Sequence, residues 1–193
     1  VKYLAGLLKQ YGGNVALAAG QQVTFAAGAN GHLQIAVDAS EAQALVHNGG
    51  LIQADGGQVV MTAQGANALA SAVVSNTGTV QARTVAERDG RIMLLADLDS
   101  GTARVAGTLD ASAPDGGNGG FVETSGAHVK VADGAKVTTK ASAGKTGTWL
   151  IDPNDFTVAA SGGDMTGAAA SAVLQNNNFE IQTATQGTAG GNG

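Results

Sequence analysis

Leu45-Val46-His47-Asn48-Gly49-Gly50-Leu51-Ile52-Gln53-Ala54 is the stretch that decides the fold. Moving 28 positions along, the chain reads Val73-Val74-Ser75-Asn76-Thr77-Gly78-Thr79-Val80-Gln81-Ala82. About 29 positions further it reads Val105-Ala106-Gly107-Thr108-Leu109-Asp110-Ala111. The shared pattern is Gly, any residue, a branched apolar residue, a polar residue, Ala. A self-similar period in the range of 20–50 residues is the signature of a repeat architecture. Each copy is followed by a turn and a second apolar segment: Gln58-Val59-Val60-Met61-Thr62, Arg91-Ile92-Met93-Leu94-Leu95 and Phe121-Val122-Glu123-Thr124. A looser copy is Gly134-Ala135-Lys136-Val137-Thr138. Upstream, Val15-Ala16-Leu17, Val23-Thr24-Phe25 and Leu33-Gln34-Ile35-Ala36-Val37 alternate with period two, as half-buried strands do.

Strands this short cannot form a stable sheet alone. Stacked in layers about 4.8 Å apart, each bonds to its equivalents above and below. The expectation is an all-β, right-handed parallel β-helix of about six or seven layers, roughly 30 Å of a fibre at that spacing. Ile52, Val80 and Leu109 are then one inward column. Gly50, Gly78 and Gly107 mark corners where φ is positive or a side chain would clash. Asn48 and Asn76 fall at one equivalent corner, either as a stacked ladder or as two independent turns. A propeller blade is longer, near 40–50 residues, and carries four strands.

Short helices are expected at one corner. Ser40–Val46 and Ala66–Val74 are Ala-rich with apolar residues three and four apart, and Gly167–Leu174 repeats the device. Helices this short need docking to persist. The chain divides into solenoid repeats over 1–150 and modified terminal layers over 151–193 that continue into further sequence. The opening Val1-Lys2-Tyr3-Leu4-Ala5-Gly6-Leu7-Leu8-Lys9 is too short for a signal-peptide core.

Composition agrees with thin layers. There are 30 Gly, 2 Pro and no Cys in 193 residues, with 4% aromatic and 13% charged residues. Low charge with regular alternation argues against disorder. Net charge −5 and the lack of any Lys/Arg cluster give no nucleic-acid footprint. No run of 18 apolar residues is present to span a bilayer as a helix.

Gly119-Gly120-Phe121-Val122-Glu123-Thr124-Ser125-Gly126, followed by Gly147-Thr148-Trp149-Leu150-Ile151-Asp152-Pro153-Asn154-Asp155-Phe156-Thr157-Val158, resembles the filamentous-haemagglutinin family of two-partner secretion exoproteins. Gly49–Gly57 and Leu150–Pro153 are similar to segments of such passengers, and the likeness runs from about 12 to 183. The resemblance implies a right-handed β-helical shaft and export from a Gram-negative cell through an outer-membrane two-partner secretion transporter. It further implies a secreted or surface location, a role in attachment or cell–cell contact through a surface receptor or glycan, and no catalytic residues. The family also includes haemolysins, haem-acquisition proteins and toxin-bearing stalks.

A parallel β-helix is also a scaffold for polysaccharide lyases and hydrolases. Asp97, Asp99, Asp110, Asp115, Asp152 and Asp155 are the acids to weigh. As a strand, Asp97 and Asp99 share a face, and Arg104 lies near Asp110 in sequence. A carboxylate pair beside a base is able to bind a sugar or activate water. The bland reading is solvated loops. Asp115-Gly116-Gly117-Asn118-Gly119-Gly120 is one degenerate Gly-rich copy where a Ca²⁺ roll needs many. Asp152-Pro153-Asn154-Asp155 offers oxygen ligands, but Asp-Pro also initiates turns. His32, His47 and His128 do not pair at ligand spacing. Gly144-Lys145-Thr146 lacks the phosphate-loop glycine, because position 139 is Thr. Trp149 is either a sugar platform or a buried anchor. No cofactor or metal is assigned. The alternative functions are a carbohydrate-active enzyme and a glycan- or haem-binding module.

Overall fold

The computed structural model describes residues 2–4, 7–11, 13–27, 33–39, 43–66 and 71–183. They form a parallel β-solenoid. Its first coil is β1 (Lys2–Leu4), β2 (Leu7–Tyr11) and β3 (Asn14–Ala19). A hairpin follows, β4 (Gln22–Ala27) and β5 (Leu33–Asp38). The second coil is β6 (Ala44–Asn48), β7 (Leu51–Asp55) and β8 (Gln58–Ala63). The third is β9 (Ala72–Asn76), β10 (Thr79–Gln81) and β11 (Arg91–Ala96). The fourth is β12 (Thr102–Val105), β13 (Thr108–Asp110) and β14 (Phe121–Ser125). The fifth is β15 (His128–Val131), β16 (Lys136–Thr138) and β17 (Thr148–Asp152). The sixth runs through β18 (Val158–Ala159), β19 (Met165–Thr166), α1 (Gly167–Leu174) and β20 (Asn178–Ile181).

Three sheets run along the axis. The first orders β1-β6-β9-β12-β15, the second β2-β7-β10-β13-β16, and the third β3-β8-β11-β14-β17-β20. Every pairing in them is parallel. Complete three-strand coils number five among the described residues, fewer than the six or seven expected; beyond them only the third sheet gains a strand, β20, while β18 and β19 pair with each other and α1 stands beside β16. β4 and β5 pair with each other antiparallel, a local hairpin outside the ladders.

Alternation produces the core directly. β7 and β11 bury every second residue. Ile52 pairs in register with Val80, Val80 with Leu109, and Leu109 with Val137. All four are buried. In the third sheet Val15, Val59, Ile92, Val122 and Trp149 stack in register. In the first, Val46, Val74, Ala103 and Val129 do the same. Each large aliphatic side chain buried this way contributes about 1.5–3 kcal/mol.

Two of the three expected corner helices are corrected. Ala44–Val46 lies in β6 and Ala72–Val74 in β9. The remainder, Ser40–Ala42 and Asn67–Ala70, falls outside the described residues. The (i, i+4) apolar spacing misled there, because Leu45-Val46 and Val73-Val74 are β-branched or bulky residues that pair in a ladder with one another. The helix at Gly167–Leu174 is present. Thr166 caps it by accepting from the Ala169 N–H, and Ala169 and Val173 face inward. The departures from three-strand coils begin after β17, at Pro153.

Candidate functional site

The most ordered polar feature is the corner between the first and second sheets. Two residues separate β6 from β7, β9 from β10, and β12 from β13. Asn48 and Asn76 point inward there, fully buried. Asn48 Nδ2 donates to Asn76 Oδ1 at 2.8 Å and to Thr79 O at 3.2 Å. Asn48 Oδ1 accepts from the Gly50 N–H. Asn76 Nδ2 donates to Gly78 O and Thr108 O, both at 3.2 Å. Such side chains remain buried only because their polar atoms find partners. The arrangement is therefore a two-rung ladder rather than two separate turns. In the next coils Val105 and Val131 occupy the same register.

Glycine at this corner is a packing requirement. A Cβ on Gly78 would lie 2.1 Å from Gly50 O, and one on Gly107 2.0 Å from Gly78 O. Neither glycine has a positive φ. A second glycine column, not singled out from the sequence, precedes the third sheet. Gly120 abuts Gly90 O and Gly147 abuts Gly120 O with the same closeness. The N–H groups of Phe121, Thr148 and Asn178 then bond to the carbonyls of Gly90, Gly120 and Gly147.

Trp149 is fully buried and inward. Its Nε1 donates to the buried Thr124 Oγ1 at 3.2 Å, and its ring lies 5.2 Å from that of Phe179. It is an anchor, and no face of the indole is free to stack on a sugar. Pro153 is buried in the turn that follows. Asn154 ties that turn down, donating from Nδ2 to Leu98 O and from its backbone N–H to Ala127 O.

The acids do not assemble. β11 ends at Ala96, so Asp97 and Asp99 sit in a turn and not on one strand face. Asp97 Oδ1 accepts from the N–H groups of Asp99 and Ser100. Asp110 pairs with Arg83 at 2.8 Å, not with Arg104, and accepts from the Ser112 N–H. Asp115 begins a turn in which Gly116 and Gly117 take positive φ. Asp55, unremarked in the sequence, accepts from Gln53 Nε2, Gln81 Nε2 and the Arg83 N–H. The carboxylates of Asp97, Asp110 and Asp55 close turns and stitch coils. Among the described residues no group of three or more His, Asp or Glu is placed to hold a metal ion. His47 contacts Thr77 Oγ1, His128 is exposed on β15, and His32 lies outside the described residues. Gly144-Lys145-Thr146 stacks on the preceding coil, with the Lys145 N–H on Asn118 Oδ1.

A groove of about 520 Å³ runs between the β4–β5 hairpin and the outer face of the third sheet. Ile35, Ala36, Val60, Met93 and Leu95 line it with uncharged Gln58. It contains no acid–base pair.

Together these features define the class as a parallel β-solenoid built from coil-to-coil ladders. No helix among the described residues is long and apolar enough to cross a membrane. The chain matches no family model, no curated protein and no solved structure.

Proposed function

We propose that this chain is a structural, adhesive shaft segment of a secreted bacterial cell-surface exoprotein, of the filamentous-haemagglutinin type, acting in attachment or cell–cell contact. One observation carries the reading. Parallel strand ladders run through five coils around buried apolar columns, and the buried Asn48 and Asn76 hold one corner of them. A rod held this way transmits position and load along its axis, because each coil contacts only its neighbours. Its partners are an outer-membrane two-partner secretion transporter on the way out and a surface receptor or glycan afterwards. It carries out no catalysis.

The test is direct. Beads coated with the purified chain are presented to host and bacterial cells while the same preparation is incubated with polygalacturonate. The reading expects adherence above uncoated beads and no turnover. Turnover, or adherence equal to that of uncoated beads, defeats it.

A further inference from the structure

The groove beneath the β4–β5 hairpin has a floor whose chemistry changes along its length. Outward positions of β8 and β11 build that floor, paired in register as Gln58 with Arg91, Val60 with Met93, and Thr62 with Leu95. From Gln58 to Thr62 it runs about 13 Å, at about 3.3 Å per residue. Val60, Met93 and Leu95 make its middle and far end apolar, and Ala26, Ile35 and Ala36 of the hairpin wall it. Arg91 stands at the near end, just outside the lining. Its guanidinium rests over the Phe121 ring, 5.1 Å from the centroid. It belongs to neither ion pair found among the described residues, and its Nε is buried without a hydrogen-bond partner. Glu123, the register partner of Met93, shares this face but accepts from Ser125 Oγ instead. Arginine stays charged at any ordinary pH. A held cation without a bonded carboxylate therefore borders an uncharged apolar slot of about 520 Å³, a volume inside the small-molecule range of about 300–1,000 Å³.

We infer that the groove binds a single-chain amphiphile with a carboxylate head. The alkyl chain lies along Val60, Met93 and Leu95 under the hairpin, and the carboxylate accepts from the outer guanidinium nitrogens of Arg91. The uncharged lining excludes a ligand charged along its length, because burying charge without a partner is costly. The cation at one end alone sets the direction. A neutral lipid lacks the group that turns a contact with Arg91 into a charge-assisted pair. This site is independent of the adhesive reading and survives its failure.

Calorimetric titration of the whole chain with dodecanoate, kept below its micelle concentration, reads the site. A single saturable event is expected. Dodecanol, with the same chain and no charge, should bind at least about tenfold more weakly, since hydrogen bonds to charged groups are the strong ones. Arg91→Gln weakens dodecanoate by a similar factor and leaves dodecanol unchanged. Leu95→Asn weakens both. Arg104→Gln, at an exposed position on the first sheet, changes neither. The comparison of dodecanoate with dodecanol needs no variant, so it stands even if Arg91→Gln fails to fold. The inference is overturned by the absence of saturable binding, by dodecanol binding as tightly as dodecanoate, or by Arg104→Gln costing as much affinity as Arg91→Gln.

Discussion

Replacing Asn76 with Ala tests whether the corner ladder stabilises the solenoid. The side chain makes three bonds: it accepts from Asn48 Nδ2 and donates to Gly78 O and Thr108 O. Truncation removes all three at a fully buried position. Gly78 O keeps the Thr108 N–H, and the Asn48 amide keeps Thr79 O, so neither group is left bare. Three net bonds at about 1 kcal/mol each give a loss of about 3 kcal/mol. One hydrogen of the Asn48 amide is left facing the vacated space, which moves the loss toward about 4 kcal/mol. The assay is urea unfolding followed by far-UV circular dichroism, with Ser75→Ala as the adjacent control on the same strand. For a domain of this size the change is a large fraction of total stability. A loss below about 0.5 kcal/mol, the level of an ordinary surface substitution, would refute the reasoning, because it would mean the buried amides contribute nothing net.

Other perturbations separate the remaining contributions. Gly107→Ala sets a methyl 2.0 Å from Gly78 O, a backbone atom with little room to yield; overpacking costs about 1–3 kcal/mol, and a thermal melt should place this variant at or above the top of that range. Trp149→Ala empties a fully buried site and is expected to cost about 3–5 kcal/mol by the same melt; in the unmutated chain the single Trp should fluoresce at short wavelength and resist acrylamide quenching until the coils unfold. Arg83→Ala removes an ion pair whose Arg is 42% exposed, so its loss should stay below about 1 kcal/mol and shrink further in salt. Thr166→Ala removes the α1 cap and is expected to cost about 1 kcal/mol, read as faster hydrogen exchange in α1.

The sequence showed most clearly what repeats evenly. Ile52, Val80 and Leu109 recur at nearly constant spacing because only two residues connect the first and second sheets in these coils, so no insertion blurs the period. The same tight corner brought Asn48 and Asn76 to notice, although two copies could not decide between a ladder and separate turns. Gly90, Gly120 and Gly147 do an equivalent job but were not recognised. The loops before them differ in length, among them Val85–Arg88 with its own bridge and Ala86 at positive φ. Period-two alternation in Val23–Phe25 and Leu33–Val37 marks the β4 and β5 segments as strands. Alternation alone carries no information on partner or direction, so their antiparallel pairing was not foreseen. The misread corner helices have a similar origin. Ala tolerates helix and strand alike, and tertiary pairing decided for the strand. The carboxylates were the least legible. Whether Asp97 faces a neighbour across a cleft or caps its own turn depends on where β11 stops, and boundaries are the weakest element of sequence reading.

The vertical alignment of coils is tested most directly by cysteine pairs, since the chain has no native Cys. Gln53 and Gln81 are register partners on adjacent strands. Thr138 belongs to the same outward row three strands further along, by way of Gln81 with Asp110 and Asp110 with Thr138. Under mild oxidation Gln53→Cys with Gln81→Cys should close within the monomer, as neighbouring strands lie about 4.8 Å apart. Gln53→Cys with Thr138→Cys, about 14 Å apart at that spacing, should remain reduced. Closure of the second pair, or failure of the first in a chain that retains its β signal, would contradict the solenoid.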